Sequence, residues 1–173
     1  GNGTPQIITE GFQGATYPPL AWTLQDGGND GLNWYRNNTV GGFGNSTKSI
    51  AFDNYNNDTQ GKKDQIRLPV MNMIPFSAAR LTFDVAYAPY STTDYLDSLL
   101  IGVSTDCGTT FTYLYNKSGT SLATAPVQTG STFVPLPNQW RTDTVFLNNY
   151  LSSNNLLIAI ENRGRFGQQL FID

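Results

Sequence analysis

Residues 80–108 read RLTFDVAYAPYSTTDYLDSLLIGVSTDCG, and this stretch decides the fold. It opens in strict alternation, with Leu81, Phe83, Val85 and Tyr87 on one side and Arg80, Thr82, Asp84 and Ala86 on the other. A period of two with one apolar side marks a strand that turns one face to a core. A polar loop containing Pro89 follows, then a second strand over 98–104, then the turn Thr105-Asp106-Cys107-Gly108. A hairpin with so long a loop belongs to an antiparallel sandwich.

Further strands are predicted at 6–12, 21–24, 33–36, 48–52, 65–68, 111–116, 141–147, 156–162 and 170–173. Turn-forming clusters such as Tyr17-Pro18-Pro19, Gly41-Gly42-Phe43-Gly44 and Leu136-Pro137-Asn138 separate them. Nothing reads as a long helix, and 148–153 reads as a single helical turn. The expectation is an all-β fold, a two-sheet antiparallel β-sandwich of jelly-roll type.

At 173 residues the chain is expected to form one domain, with Gly1 to Pro5 as a linker remnant and 6–173 as the sandwich. Such a length buries roughly 70% of its unfolded surface, so no disulfide staple is needed. The one cysteine, Cys107, reads as a small turn residue. Only 13% of residues are charged and the net charge is −3. A domain without a basic patch is not built for nucleic acid, and no apolar run reaches the ~18 residues of a membrane span. Low charge with abundant Asn, Thr, Ser and Gly suits a secreted or cell-surface protein.

Histidine is absent, which removes Ser-His-Asp and Cys-His catalysis and histidine-containing zinc sites. Paired-carboxylate hydrolysis is left open by the 13 Asp and Glu, but no local motif marks a pair. The chain is therefore read as a non-enzyme.

Glu10-Gly11-Phe12-Gln13 followed by Pro18-Pro19-Leu20-Ala21-Trp22-Thr23 resembles the opening of the cleaved-adhesin or choice-of-anchor J modules. Leu81 to Tyr87, Val103 to Phe111 and the closing Leu170-Phe171-Ile172-Asp173 continue that pattern. These modules belong to large secreted Bacteroidetes proteins and are related to gingipain adhesin and MAM domains. The resemblance implies a galactose-binding-like jelly roll, bound calcium, and attachment to a secreted peptidase, glycosidase or adhesin whose other domains are its neighbours. Gln13 departs from the pattern, which has a second acidic residue there.

Calcium takes about six to eight oxygen ligands and accepts irregular geometry. Asp26, Asn29 and Asp30 in Asp26-Gly27-Gly28-Asn29-Asp30 resemble an Asp/Gly-rich loop that precedes a tryptophan in gingipain modules. The same five residues also read as a turn whose side chains cap their own backbone. A second candidate joins Glu10 to Asp173, with Asp53 or Asn54 nearby, and only the resemblance brings these together. Sugar rings stack on loop aromatics, so Trp34, Tyr35, Tyr90 and Tyr95 are candidate ligand contacts, with Arg36 and Asp94 as polar neighbours. For each ring a place in the core is the competing reading. The functional expectation is a non-catalytic, calcium-stabilised binding or adhesion module for a glycan or extracellular protein. The alternative is a spacer that supports a neighbouring catalytic domain.

Overall fold

The alternation in residues 80–87 becomes a strand, β5 (Arg80–Tyr87), whose Phe83, Val85 and Tyr87 are buried in the main core. The computed structural model describes residues 2–173. It holds two five-stranded antiparallel sheets. The first runs β1 (Thr23–Gln25), β4 (Lys63–Arg67), β9 (Leu157–Arg163), β6 (Ser98–Ser104) and β7 (Thr112–Ser118). The second runs β2 (Tyr35–Asn37), β3 (Ser49–Asp53), β10 (Gln169–Ile172), β5 and β8 (Arg141–Phe146). The expected all-β sandwich is present. A single turn of helix, α1 (Gly119–Leu122), follows β7. Among the described residues no helix is long and apolar enough to cross a membrane.

Between the sheets lie Trp34, Ile50, Phe52, Tyr87, Leu99, Ile101, Ile160 and Leu170. Strand β3 is buried on both faces because Ala51 points away from this core into a second cluster. There Phe133 and Trp140, from the long β7–β8 connection, cover Ala86 and Phe171. Only β2–β3 and β6–β7 follow one another within a sheet. Every other connection crosses between sheets, so long loops gather at the ends of the sandwich.

Two expectations fail near the N-terminus. Residues 6–12 form no strand. Ile7 stands 87% exposed, and the Glu10 carboxylate accepts the Phe12 N–H at 2.6 Å where Phe12 turns to φ 56°. Residues 2–4 are not a free linker. The Gly3 N–H donates to the Asn154 carbonyl at 2.8 Å and Thr4 bridges Met71. Gly3 is required, because a Cβ there would lie 2.3 Å from the Met71 carbonyl carbon.

Asp97 secures one end. It is fully buried. Its Oδ1 accepts the N–H groups of Arg165 and Gly167 at 2.7 and 3.3 Å. Its Oδ2 accepts the Gln168 N–H at 2.8 Å and the Tyr87 hydroxyl at 3.1 Å. One side chain thus holds the β9–β10 turn to the base of the β5–β6 loop. Asp97→Ala leaves these donors buried without acceptors and is expected to cost about 3 kcal/mol or more. Urea denaturation should show a lower midpoint at unchanged slope, with Asp97→Asn less damaged because its carbonyl oxygen still accepts.

Candidate functional site

Three connections meet at the Asp97 end: β3–β4, β5–β6 and β9–β10. They bring together Tyr55, Tyr90, Tyr95 and Phe166, which line a cleft of about 340 Å³. The rings run in a chain, with centroids 6.4 Å apart for Tyr55–Tyr90, 5.6 Å for Tyr90–Tyr95 and 6.4 Å for Tyr95–Phe166. Tyr95 and Phe166 are 47% and 43% exposed, far from what a core ring shows. Both have left-handed backbones, at φ 56° and 60°. Such a conformation costs roughly 1–3 kcal/mol in a non-glycine residue and persists only where surrounding structure imposes it. Asp97 and Gly167 do so here, since Gly167 lets the backbone pass within contact of the Tyr95 carbonyl. A wider depression of about 580 Å³ adjoins, lined by Gln60, Asp94, Tyr95, Ser98, Ser118 and Arg165.

The structure divides the predicted ligand residues. Tyr90, Tyr95 and Asp94 share one surface, and Tyr55 and Phe166, which join them, were not foreseen. Trp34, Tyr35 and Arg36 lie elsewhere. Trp34 is a core residue, 1% exposed, edge-on to Phe52, with its indole N–H donated to the Asp64 carbonyl at 3.1 Å. Arg36 is spent on the chain itself, donating to the Gly14 carbonyl at 2.6 Å. Tyr35 is half-buried and packs against the Phe133–Trp140–Phe171 cluster.

The loop of Asp26, Asn29 and Asp30 does cap its own backbone. Asp26 accepts the N–H groups of Asp30 and Gly31 at 3.2 and 2.7 Å, and Asn29 sits at φ 50°. These bonds hold the Asp26 carboxyl below the usual range, that from Gly31 first. The loop also closes over Asp64 of β4, which no expectation had included. Asp64 is fully buried, its Oδ1 accepts the Gly27 N–H at 3.1 Å, and its Oδ2 has no partner. Burial, then the charges of Asp30 and Asp26, push its pKa up to about 6.

At the second candidate the structure brings Glu10 close to Asp173 but adds Asp84. Asp84 and Asp173 are opposed across β5 and the end of β10, exchanging backbone bonds of 2.8 and 2.9 Å. Directly opposed like charges destabilise a sheet. The Gly42 and Phe43 N–H groups donate to Asp173 and Asp84 at 2.8 and 3.2 Å. Asp173 Oδ1 is buried without a partner. Burial first, then the charges of Asp84 and Glu10, raise its pKa. Asp53 and Asn54 do not belong here. Asp53 pairs with Gln169 at the far end of β10, capping Tyr55 and Asn56. Asn54 is fully buried and exchanges bonds of 3.0 Å with Asn162.

Among the described residues no three Asp, Glu or Cys side chains stand close enough to form a metal cage on their own. What both acidic clusters offer a hard cation is a buried carboxylate oxygen without a donor, neighbouring carboxylates, and oxygen as the sole ligand type. That donor set fits calcium, with backbone carbonyls or water completing the shell.

No protein-family model matches the chain, and no curated protein sequence matches it. Solved structures do. The K1 cleaved adhesin domain of Lys-gingipain from Porphyromonas gingivalis W83 superposes with a TM-score of 0.61 at 16% identity, over 90% of this chain and 88% of that one. The K3 domain of the same protein gives 0.61 at 19% identity, over 90% of each. The fold is that of the cleaved adhesin domains. TmCBM61, solved with β-1,4-galactotriose, shares it with a TM-score of 0.56 at 14% identity, over 94% of this chain and 90% of that one. The resemblance read from Glu10 to Thr23 and from the closing strand is thus borne out in three dimensions.

The raised carboxyls set a pH dependence. Asp64 and Asp97 both titrate near 6 when folded, burial being the first cause, against about 3.9 unfolded. The folded state therefore binds more protons between these values, and stability falls as pH rises from about 4 to 6. Asp106 and Asp143, lowered to about 2, lose stability only below about 4. Melting in EDTA is expected to occur at a higher temperature at pH about 4.5 than at pH about 7, and Asp64→Asn should flatten part of that slope.

Proposed function

We propose that this domain is a non-catalytic glycan-binding module of a secreted or cell-surface protein, stabilised by calcium. The observation that carries the binding role is the rim of Tyr55, Tyr90, Tyr95 and Phe166, in which Tyr95 and Phe166 are exposed and held in left-handed backbone and Tyr55 and Tyr90 are half-buried. A sandwich gains nothing for its core by such rings; a sugar gains apolar faces to stack on. Asp94 and Arg165 beside them supply an acceptor and a donor for hydroxyls. The shared fold of TmCBM61, solved with a galactose trisaccharide, is in keeping with this reading. Attachment of an extracellular protein in place of a glycan, or service as a spacer, would leave the rim without a saccharide ligand.

A glycan array followed by titration tests it. Tyr90→Ala and Tyr95→Ala should each weaken the best glycan by about 1–3 kcal/mol, the scale of a lost aromatic contact. Melting should hardly change. Unchanged affinity with a large loss of stability would assign the rings to packing, and an array without hits would favour the spacer.

The calcium role rests on Asp64 Oδ2 and Asp173 Oδ1, buried oxygens without donors. Asp173 with one neighbouring carboxylate, Asp84 or Glu10, would contribute to one ion, and Asp64 with Asp26 or Asp30 to another, backbone carbonyls and water completing each shell. Bound calcium would supply positive charge to both clusters, of which the second has only Lys62, 3.6 Å from Asp30 at its edge. A cation at a hundredfold its Kd stabilises by about 2.7 kcal/mol, which is very roughly 5–11 °C for a domain of this size. EDTA should lower the melting temperature, calcium should restore it, and magnesium should substitute poorly. Asp64→Asn and Asp173→Asn should each remove part of the response; superimposable transitions with and without EDTA would end the calcium reading.

A further inference from the structure

The outer face of the first sheet carries an arrangement that neither the core nor the rim uses. Register places Lys63, Gln65 and Arg67 of β4 beside Arg163, Glu161 and Ala159 of β9, and these beside Ser98, Leu100 and Gly102 of β6. Gly102 also pairs with Tyr113 of β7 across a bulge. Having no side chain, Gly102 lets the Tyr113 and Phe111 rings lie over the sheet; a Cβ there would meet them at 3.1 and 3.2 Å. The rings are nearly parallel, 28° apart. Arg67 stands over Phe111 at 5.0 Å and Arg163 over Tyr113 at 4.9 Å.

Glu161, 1% exposed, is saturated. It accepts from Gln65, Tyr113 and Arg163, each at 2.6 Å, so it fixes the platform and neutralises Arg163. Arg67 is different. Its Nε donates to Gln65 Oε1 at 2.8 Å, and its terminal nitrogens donate to no protein acceptor among the described residues. Neither Arg67 nor Lys63 has a carboxylate within ion-pair distance. Burial pulls the Arg67 pKa down, against the opposing pull of the Glu161 charge. In a chain of net charge −3, this face is locally positive.

We propose that this face is a second binding site, selective for acidic saccharides that carry uronic acid carboxylates. A guanidinium whose terminal nitrogens are unpaired presents them as a fork, which matches a carboxylate with two parallel bonds. The stacked Phe111 and Tyr113 provide the apolar surface for the pyranose that bears it. Glu161 neutralises Arg163 and so leaves Arg67, and Lys63 at the other end of β4, as the anion-reading groups.

The test is calorimetric titration of the whole domain with trimers of galacturonate, glucuronate and mannuronate, their methyl esters, neutral galactotriose and a tetraglutamate peptide. At least one uronate trimer should bind, with affinity that falls as salt rises. Its ester should bind about tenfold or more weaker, and Arg67→Gln and Phe111→Ala should each lose about tenfold at unchanged melting temperature. Arg67→Lys, which keeps the charge and loses the fork, should also lose affinity. Tyr95→Ala should leave uronate binding intact, which separates this site from the rim. The proposal is overturned if no uronate trimer binds, if ester and acid bind alike, if Arg67→Gln changes nothing, or if tetraglutamate binds as tightly as the best sugar.

Discussion

One buried carboxylate governs the end of the sandwich where ligands would arrive. Asp97 stands at the start of β6 and gathers three backbone N–H groups of the β9–β10 turn together with the hydroxyl of Tyr87. The turn could not otherwise close, because its N–H groups point inward and no strand is there to accept them. With the turn fixed, Phe166 is forced to φ 60° and Gly167 is pressed against Asp97 and the Tyr95 carbonyl. Tyr95 in turn is held at φ 56°. The exposed rim is therefore a consequence of a core interaction. Its rings are presented by a rigid base, and little conformational entropy remains to be lost when they meet a ligand.

Three other aspartates show how far environment decides what a carboxylate does. Asp106 sits in the β6–β7 hairpin and receives the hydroxyls of Ser104 and Thr110 and the Thr110 N–H. These bonds, that from Ser104 first, hold its pKa near 2, and it serves the turn. Asp64 and the half-buried Asp173 each keep a buried oxygen without a donor and have other acids beside them. A group so placed must take a proton or a cation, since burying an unpaired charge is costly. Counting donors thus separates turn-forming aspartates from those left with an unpartnered oxygen, which proximity in sequence could not do.

Most of the architecture was legible because a strand writes its period into the chain. Residues 80–87 and 98–104 form strands with the expected bounds, and every predicted strand but the first is present within a few residues. Residues 6–12 misled because Ile7 and Ile8 resemble a strand, yet Phe12 leaves the extended region and Ile7 faces solvent. The site was less legible. Alternation correctly put Asp84 on the side away from the core, but a period of two cannot reveal that the Gly41–Phe43 segment crosses above it. Asp64 hid in the same way, within KDQIR. Trp34 looked like a loop aromatic beside a glycine-rich turn, whereas its indole fills the space between β2 and β4. Tyr55 and Phe166 come from distant loops that only the crossing connections unite.

The two surfaces proposed for ligands are not separate in space. Ser98 pairs with Arg163 on the sheet face and also lines the depression that holds Asp94, Tyr95 and Arg165. A saccharide long enough to lie over Phe111 and Tyr113 and continue past Ser98 would reach the rim without leaving the protein surface. Each contact alone is modest, but the second is made at the effective concentration set by the first, which multiplies affinity without any new contact. The division of labour would follow from the chemistry: the sheet face would read charge through Arg67, and the rim the shape of a ring. Selectivity for a polymer that carries both acidic and neutral residues would then arise from their order along the chain, with neither surface needing to bind tightly by itself.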